Sequence, residues 1–361
     1  MTRTGIVVDK QAFYTSVVSV VYVMIVSGIV NPHISIEVYY EKGLLWVALL
    51  TLGFMLARSL ASLVHAPLYQ KYTARVVGSI GLFLLITSFF LYSIVKPLYY
   101  PLVQIVTGFS AGIFWPLMQS LLAYGIAPNW RSRGFSLYFI LGSIAGYAGY
   151  QLGSLIYVLL GPEFLYIVGY ASGYVYLLLY IAIAPAKQPG KPRGEVLSLK
   201  DVLKTSRKLT DIIPLIILVG GINGLLKDYL LAYTVHVTGY SEPTIRNIWS
   251  IAGYVGLLLS YLAAHVMEKH SREREILLLG TLMCLSPILL AIITESLVVI
   301  LAVALAIAGT RILRPILRGI ASNRVEQPET SIAVVNSFSN ISASLIPLLV
   351  ALVTSVLYEY E

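Results

Sequence analysis

The stretch Ala66-Pro67-Leu68-Tyr69-Gln70-Lys71-Tyr72-Thr73-Ala74-Arg75 closes one long apolar run and opens the next. A second stretch, Ala264-His265-Val266-Met267-Glu268-Lys269-His270-Ser271-Arg272-Glu273, does the same 198 residues later. Each carries an apolar helix end through a polar residue, a lysine, a Tyr or His and a small residue to an arginine. A further pair lies deeper: Gly112-Ile113-Phe114-Trp115-Pro116-Leu117-Met118-Gln119 stands against Arg311-Ile312-Leu313-Arg314-Pro315-Ile316-Leu317-Arg318, at an offset of 199. Pro116 and Pro315 both fall inside apolar runs. Self-similarity at a fixed offset is the mark of an internal repeat, and this one predicts two like halves.

Outward from these stretches the chain reads as eleven apolar segments, roughly 12–38, 43–66, 75–95, 97–126, 134–159, 163–185, 211–237, 244–267, 274–294, 296–322 and 330–357. A membrane helix needs about 20 apolar residues and a barrel strand only 9–11, in strict alternation. The segments therefore predict an all-α polytopic membrane protein. Composition agrees: 58% of the 361 residues are hydrophobic and 12% charged, against about 25% charged in a soluble domain. A water-soluble globule and a disordered chain are both excluded. The first segment is too long for a signal-peptide core and reads as a retained span. The single cysteine, Cys284, can form no disulfide within the chain.

Basic residues orient the spans. With the N-terminus inside, seventeen of the 25 Lys and Arg fall on inner tails and loops and three on outer loops. The other five, Arg58, Lys227, Arg311, Arg314 and Arg318, lie within spans. The net charge of +8 is thus mostly topological, and no nucleic-acid partner is expected. The expectation is a multi-pass protein of the plasma membrane with a cytoplasmic N-terminus and, with eleven spans, an extracytoplasmic C-terminus.

The longest inner connection, 186–210, divides a six-helix bundle (1–185) from a five-helix bundle (211–361). Pro185, Pro189, Gly190, Pro192 and Gly194 resist helix at its start. Ser198-Leu199-Lys200-Asp201 then reads as a helix start with Asp201 in capping-box position. Val196, Leu199, Val202 and Leu203 make the segment a short basic amphipathic helix on the inner membrane surface.

Two six-span halves joined by a long inner loop are a transporter design, and over nearly its whole length the chain resembles the major facilitator superfamily. That family's signature between spans 2 and 3 is G-x-x-x-D-R-x-G-R-[RK]. Ala66, Gln70, Lys71, Thr73 and Arg75 occupy its positions here, keeping only the basic character; Ala264, Glu268, Lys269, Ser271 and Arg272 form the second copy and keep the acid. Gly108, Gly112, Pro116, Pro128, Arg133 and Gly134 resemble the family's span 4 and following loop. The resemblance implies a major facilitator-like fold of two pseudo-symmetric bundles, with spans 1, 4, 7 and 10 lining a cavity. It implies a gating role for Gln70, Lys71, Arg75, Arg133, Glu268, Lys269 and Arg272. The family has twelve spans. The repeat offset would start a twelfth at residue 361, so the readings are an eleven-span protein or a shortened frame. With eleven spans the flank of the second bundle lacks a cover, where a second copy or membrane lipids would pack.

A cation at a helix centre costs about 2.5–3.5 kcal/mol on insertion scales, so such residues are functional candidates. Arg311, Arg314 and Arg318 lie within about 60° of one another on span 10. Arg311 lies about 16 Å from the inner end of that span. Guanidinium forks suit carboxylate and phosphate groups, so Arg311 and Arg314 are expected to bind an anionic group. Arg318 and Arg58 are expected to snorkel to the inner surface. On span 7, Asn223 and Lys227 share a face; Asp228, the only acid well inside a span, is a candidate proton carrier or an ion-pair partner for Arg311 or Lys227. Asn31 on span 1 and Asn336 and Asn340 on span 11 complete the cavity candidates. His33 and Glu37, at i and i+4, read as an outer-mouth pair. Gly142, Gly146, Gly149 and Gly153 give span 5 one flat face for close packing, and Tyr147 after Gly146 leaves the family's antiporter signature unmatched.

No metal-ligand spacing, nucleotide-binding loop or nucleophile motif appears, so no metal, cofactor or enzymatic role is expected. The leading expectation is a secondary transporter working by alternating access on a small anionic or amphiphilic solute, with or without proton coupling. A lipid-phosphate-processing membrane enzyme and a transport-inactive sensor or scaffold are the competing readings.

Overall fold

The computed structural model describes residues 6–42, 44–186, 199–227, 229–230, 234, 238, 242–291, 295–325 and 328–358. Each apolar segment holds a helix. We label them α1 (Lys10–Lys42), α2 (Leu44–Lys71), α3 (Ala74–Ile94), α4 (Tyr100–Gly125), α5 (Arg131–Leu160), α6 (Glu163–Ile183), α7 (Leu199–Lys208), α8 (Ile213–Lys227), α9 (Glu242–His270), α10 (Glu273–Leu285), α11 (Ser296–Asn323) and α12 (Pro328–Tyr358). Among the described residues eight helices are long and apolar enough to cross a membrane, and α8 and α9 hold shorter apolar stretches. The outer surface is apolar: Leu178 is 70% exposed, Val175 66% and Ile251 65%. Side chains of that kind on every outward face suit hydrocarbon, not water.

The α2–α3, α4–α5, α9–α10 and α11–α12 links lie at one end of the bundle, which we call the basic face. Thr73 caps α3 there by accepting from the Val76 N–H. The N-terminal tail is stitched to the same face: Val8 N donates to Gly125 O and Ala127 N to Ile6 O. α7 begins at Leu199, where the sequence places a helix start, and it packs against α2 and α12. The linker helix therefore touches one helix that precedes it and one that follows it in the chain.

The repeat governs how helices pair. α1 lies along α5 as α8 lies along α12, and α2 lies along α4 as α9 lies along α11. Small residues make these approaches possible. A Cβ at Gly149 would overlap the Ile25 carbonyl oxygen, and one at Gly153 would reach that of Ile29, so the flat face of α5 is spent on α1. On α8, Gly220 and Gly224 meet the Ser339 and Ala343 carbonyls of α12. Buried apolar side chains form two clusters in α1–α6 and one in α8–α12, Ile332 of α12 alone reaching across into the first half.

Candidate functional site

Gly108 and Gly112 fix the rotation of α2 by receiving the Phe54 and Arg58 carbonyls against α4. That rotation turns the Arg58 side chain inward. Its Nε is buried and has no hydrogen-bond partner among the described residues, and its guanidinium lies 5.8 Å from the Phe54 ring centre. Lys227 of α8 lies over the same ring at 5.3 Å. From the other side, α11 runs unbroken through Pro315 and brings in Arg311, Arg314 and Arg318. Arg314 and Arg318 lie over Phe139 of α5, at 4.8 and 5.4 Å. Arg58, Arg311 and Arg318 all sit close enough to Arg314 to repel it. Tyr138 is fully buried beside Arg58, Arg314 and Arg318, and its hydroxyl finds no partner among the described residues.

Arg318 differs from its neighbours in that each of its three nitrogens has an acceptor. Its Nε donates to Gln119 Oε1 at 3.1 Å, one terminal nitrogen to Asn336 Oδ1 at 2.6 Å and the other to the Arg314 carbonyl at 2.9 Å. Asn336 Nδ2 donates to the same Gln119 oxygen at 3.2 Å. Gln119 and Arg318 are 199 residues apart, the offset of the repeat, so two equivalent positions touch. Equivalent residues of a two-fold repeat can meet only near its axis, which places this contact at the junction of the halves.

Other contacts cross that junction, those of Arg131 and Arg133 at the basic face. Ser59 and Ser337 each donate a hydroxyl to the other's carbonyl, at 2.9 and 3.1 Å. Arg131 donates to the Ser322 carbonyl and to Asn323 Oδ1. Arg133 stacks on Trp130 at 3.4 Å and meets His265 Nδ1 at 3.4 Å. In this structure the halves are closed against each other at the basic face.

A sequence profile of the Major Facilitator Superfamily matches residues 13–347. The chain belongs to that superfamily. No curated protein matches it in sequence at a significant level. Among solved structures it resembles the human organic anion transporter MFSD10 (TETRAN), at 12% identity, TM-score 0.67, 94% of this chain and 92% of that one. It resembles the E. coli fucose:proton symporter FucP at 12% identity and TM-score 0.71, covering 95% and 92%. FucP in the outward conformation gives 13% identity and TM-score 0.72, covering 97% and 92%. At these identities the likeness is one of fold; the profile match and the long apolar helices make the chain an integral, multi-pass membrane protein.

The superfamily reading sorts the residues singled out in the sequence. Arg311, Arg314 and Lys227 converge with Arg58 as described. Arg58 and Arg318 do not snorkel: helix rotation turns both into the protein, and Arg318 is only 3% exposed. Asn336 joins the Arg318 network, and Asn340 is buried with Nδ2 unpartnered among the described residues. Asn223 is half-buried on α8, and Asn31 is exposed on α1. Asp228 lies outside the described residues. His33 and Glu37 part company: His33 stacks on Tyr157 at 5.3 Å, while Glu37 Oε2 accepts from Tyr166 at 2.6 Å and Tyr100 at 3.0 Å. Of the signature residues, Arg133 reaches the other half, whereas Arg75 donates to the Ala184 carbonyl within its own half. Lys71 lies over the Tyr72 ring, and Lys269 and Arg272 are exposed. The side chains of Gln70 and Glu268 lie outside the described residues. Gln119, Tyr138, Phe139 and Phe54 went unremarked in the sequence. Gln119 alone left a trace, as the repeat partner of Arg318.

Proposed function

We propose that the chain is a secondary transporter that carries a small organic anion across the membrane by alternating access and performs no covalent chemistry on it. One observation carries this reading: Arg58, Arg311 and Arg314 converge between the halves with no hydrogen-bonded carboxylate among the described residues. Uncompensated guanidinium groups in a low-dielectric interior are costly, and a bound anion offsets that cost. One structural neighbour is an organic anion transporter and another a fucose:proton symporter; the anion here is argued from the arginines, not from either of them.

The repeat supports a six-helix bundle (1–185) and a five-helix bundle (211–361) as the rocking units, with 186–210 as linker. The distribution of Lys and Arg supports a cytoplasmic basic face in the plasma membrane. Asp228 is the proton carrier in this reading, on sequence position alone. The anion is tested by thermal-shift screening of purified protein against anions and cations. Stabilisation by anions, lost in Arg311→Ala, is expected; stabilisation by cations only, unaffected by that substitution, overturns it. Uptake into vesicles that ignores a pH gradient removes Asp228 from the mechanism.

A further inference from the structure

Following the repeat offsets around Arg58 reveals an exchange. Arg58 on α2 corresponds to Gly256 on α9, 198 residues on, and Gly112 on α4 corresponds to Arg311 on α11, 199 residues on. The helix crossings correspond as well. A Cβ on Gly112 would meet the Arg58 carbonyl oxygen at 2.5 Å, and one on Gly256 would meet Arg311 Cγ at 3.2 Å. Each half thus places one arginine and one glycine at the same crossing, but on opposite helices. In the first half the glycine admits the Arg58 backbone, and in the second it lies against Cβ and Cγ at the root of the Arg311 side chain. The result is one guanidinium from each half at the central site.

Neither group is used up by the described residues. Arg58 Nε is buried without a partner, and no hydrogen bond or ion pair is formed by the guanidinium of Arg311 among the described residues. Arg314 stands near both, held on the Phe139 ring and bonded to no acceptor among the described residues. The buried Tyr138 lies near Arg314, Arg318 and Arg58, and its hydroxyl too is unpartnered among the described residues. Arginine side chains donate only, and a tyrosine hydroxyl can donate, so the ligand that satisfies them presents acceptor oxygens. Among the described residues no carboxylate is hydrogen-bonded to these three guanidinium groups, so a ligand with two negative charges offsets more of their charge than one with a single charge.

On the anion reading above, we infer that the substrate carries two negative charges on oxygen, as a dicarboxylate or a phosphate ester does. It is clamped between Arg58 of one half and Arg311 of the other. A ligand gripped by both halves draws them together as it binds, which is what a rocking transporter needs of its substrate.

The test uses the purified full-length protein and thermal-shift titrations at constant ionic strength above neutral pH. Succinate and glycerol phosphate are the dianions, butyrate the monoanion with succinate's carbon count, and glycerol the neutral control. A charged hydrogen bond made to one ligand and not the other gives a preference of about tenfold or more. Succinate or glycerol phosphate is therefore expected to bind at least about tenfold tighter than butyrate, and which of the two binds tells a dicarboxylate site from a phosphate-ester site. Arg58→Gln and Arg311→Gln should each collapse that preference. Ligand-free melting checks their folding, and Arg58→Lys and Arg311→Lys, which keep the charge but lose the fork, should weaken the preference without abolishing it. Succinate and butyrate binding alike, with both lost in Arg314→Gln, overturns the two-charge clamp and leaves the anion reading standing. Binding of no anion in the panel overturns both.

Discussion

Replacing Gln119 with leucine should drive the molecule toward a form open at the basic face. Gln119 Oε1 is the shared acceptor for Arg318 Nε at 3.1 Å and Asn336 Nδ2 at 3.2 Å. Arg318 is 3% exposed and Asn336 1%, so neither donor can turn to water instead. Leaving a charged donor unmet costs about 1.5–3 kcal/mol and a neutral amide about 0.5–1.5, together roughly 2–4 kcal/mol. The sign follows from where the residues sit. Gln119 is on α4, Arg318 and Asn336 on α11 and α12. The cost therefore falls on the closed form and vanishes once the halves part and water enters. An equilibrium shift of about 30- to 700-fold toward the open form results. The reporter is Ser132→Cys, buried against Gly319 across the junction, with Cys284 a buried and silent background. Thiol labelling at position 132 should accelerate at least about tenfold when Gln119→Leu is added, whereas Gln119→Glu, which pairs with Arg318, should slow it. Labelling that stays unchanged in Gln119→Leu while the melting temperature falls would refute the argument, because the network would then be packing alone and not a latch.

Three further outcomes are expected. Gly149→Leu should abolish the folded protein, since its side chain would drive α1 off α5; Gly146→Ala should be tolerated, because its Cβ meets only the mobile end of Met24 at 3.1 Å; size-exclusion profiles and melting curves check both. Tyr166→Phe removes the shorter of the two donors to Glu37 and should cost about 1–3 kcal/mol, visible as a lower melting temperature, while Glu37→Gln, which keeps an acceptor, should cost less; a Tyr166→Phe protein as stable as the parent contradicts the tyrosine–carboxylate anchor. Outside the spans, the hydrogen bond from Arg324 at 2.6 Å holds the Asp211 carboxyl below its ordinary value. Its folded pKa is depressed, so its contribution is present above the unfolded pKa and lost as pH falls through the folded one. Melting temperatures of the parent and Asp211→Asn should differ slightly at neutral pH and converge in acid. The pair is exposed, which keeps the difference under about 1 kcal/mol, and a gap that widens in acid is the contrary result.

The helices were legible because hydrocarbon imposes one demand on every segment: a run of apolar residues long enough to cross. The α2–α3 link and its copy at α9–α10 carry the repeat in plain sequence, and the paired packing of α1 with α5 and α8 with α12 realises it. Contacts between halves were less legible, since they join residues far apart in the chain with no shared periodicity. Ser59 and Ser337 are 278 residues apart and carry no charge to mark them. The His33–Glu37 pair shows the opposite failure: i and i+4 spacing promised a local contact, but tyrosines from α4 and α6 reach the carboxylate instead.

Arg58 and Arg318 show what counting along a helix can and cannot give. Distance from the helix end is a count multiplied by the rise per residue, and by that measure both arginines could reach the basic face. Snorkelling also requires the side chain to leave from a face open to lipid or water, and that azimuth is set by the neighbouring helix. For α2 the neighbour is α4, where Gly108 and Gly112 admit the Phe54 and Arg58 carbonyls and thereby fix which way Arg58 points. For α11 it is the junction itself, where Gln119 and Asn336 fill the space through which Arg318 would have escaped. Gly108 and Gly112 entered the sequence reading only through the repeat and the family resemblance, and Gly256 not at all. Joined to the repeat offset, they give the azimuth: a glycine at 112 opposite an arginine at 58, and a glycine at 256 opposite an arginine at 311, describe a single crossing used twice. By that correspondence Arg58 belongs beside Arg311 among the cavity residues on sequence alone.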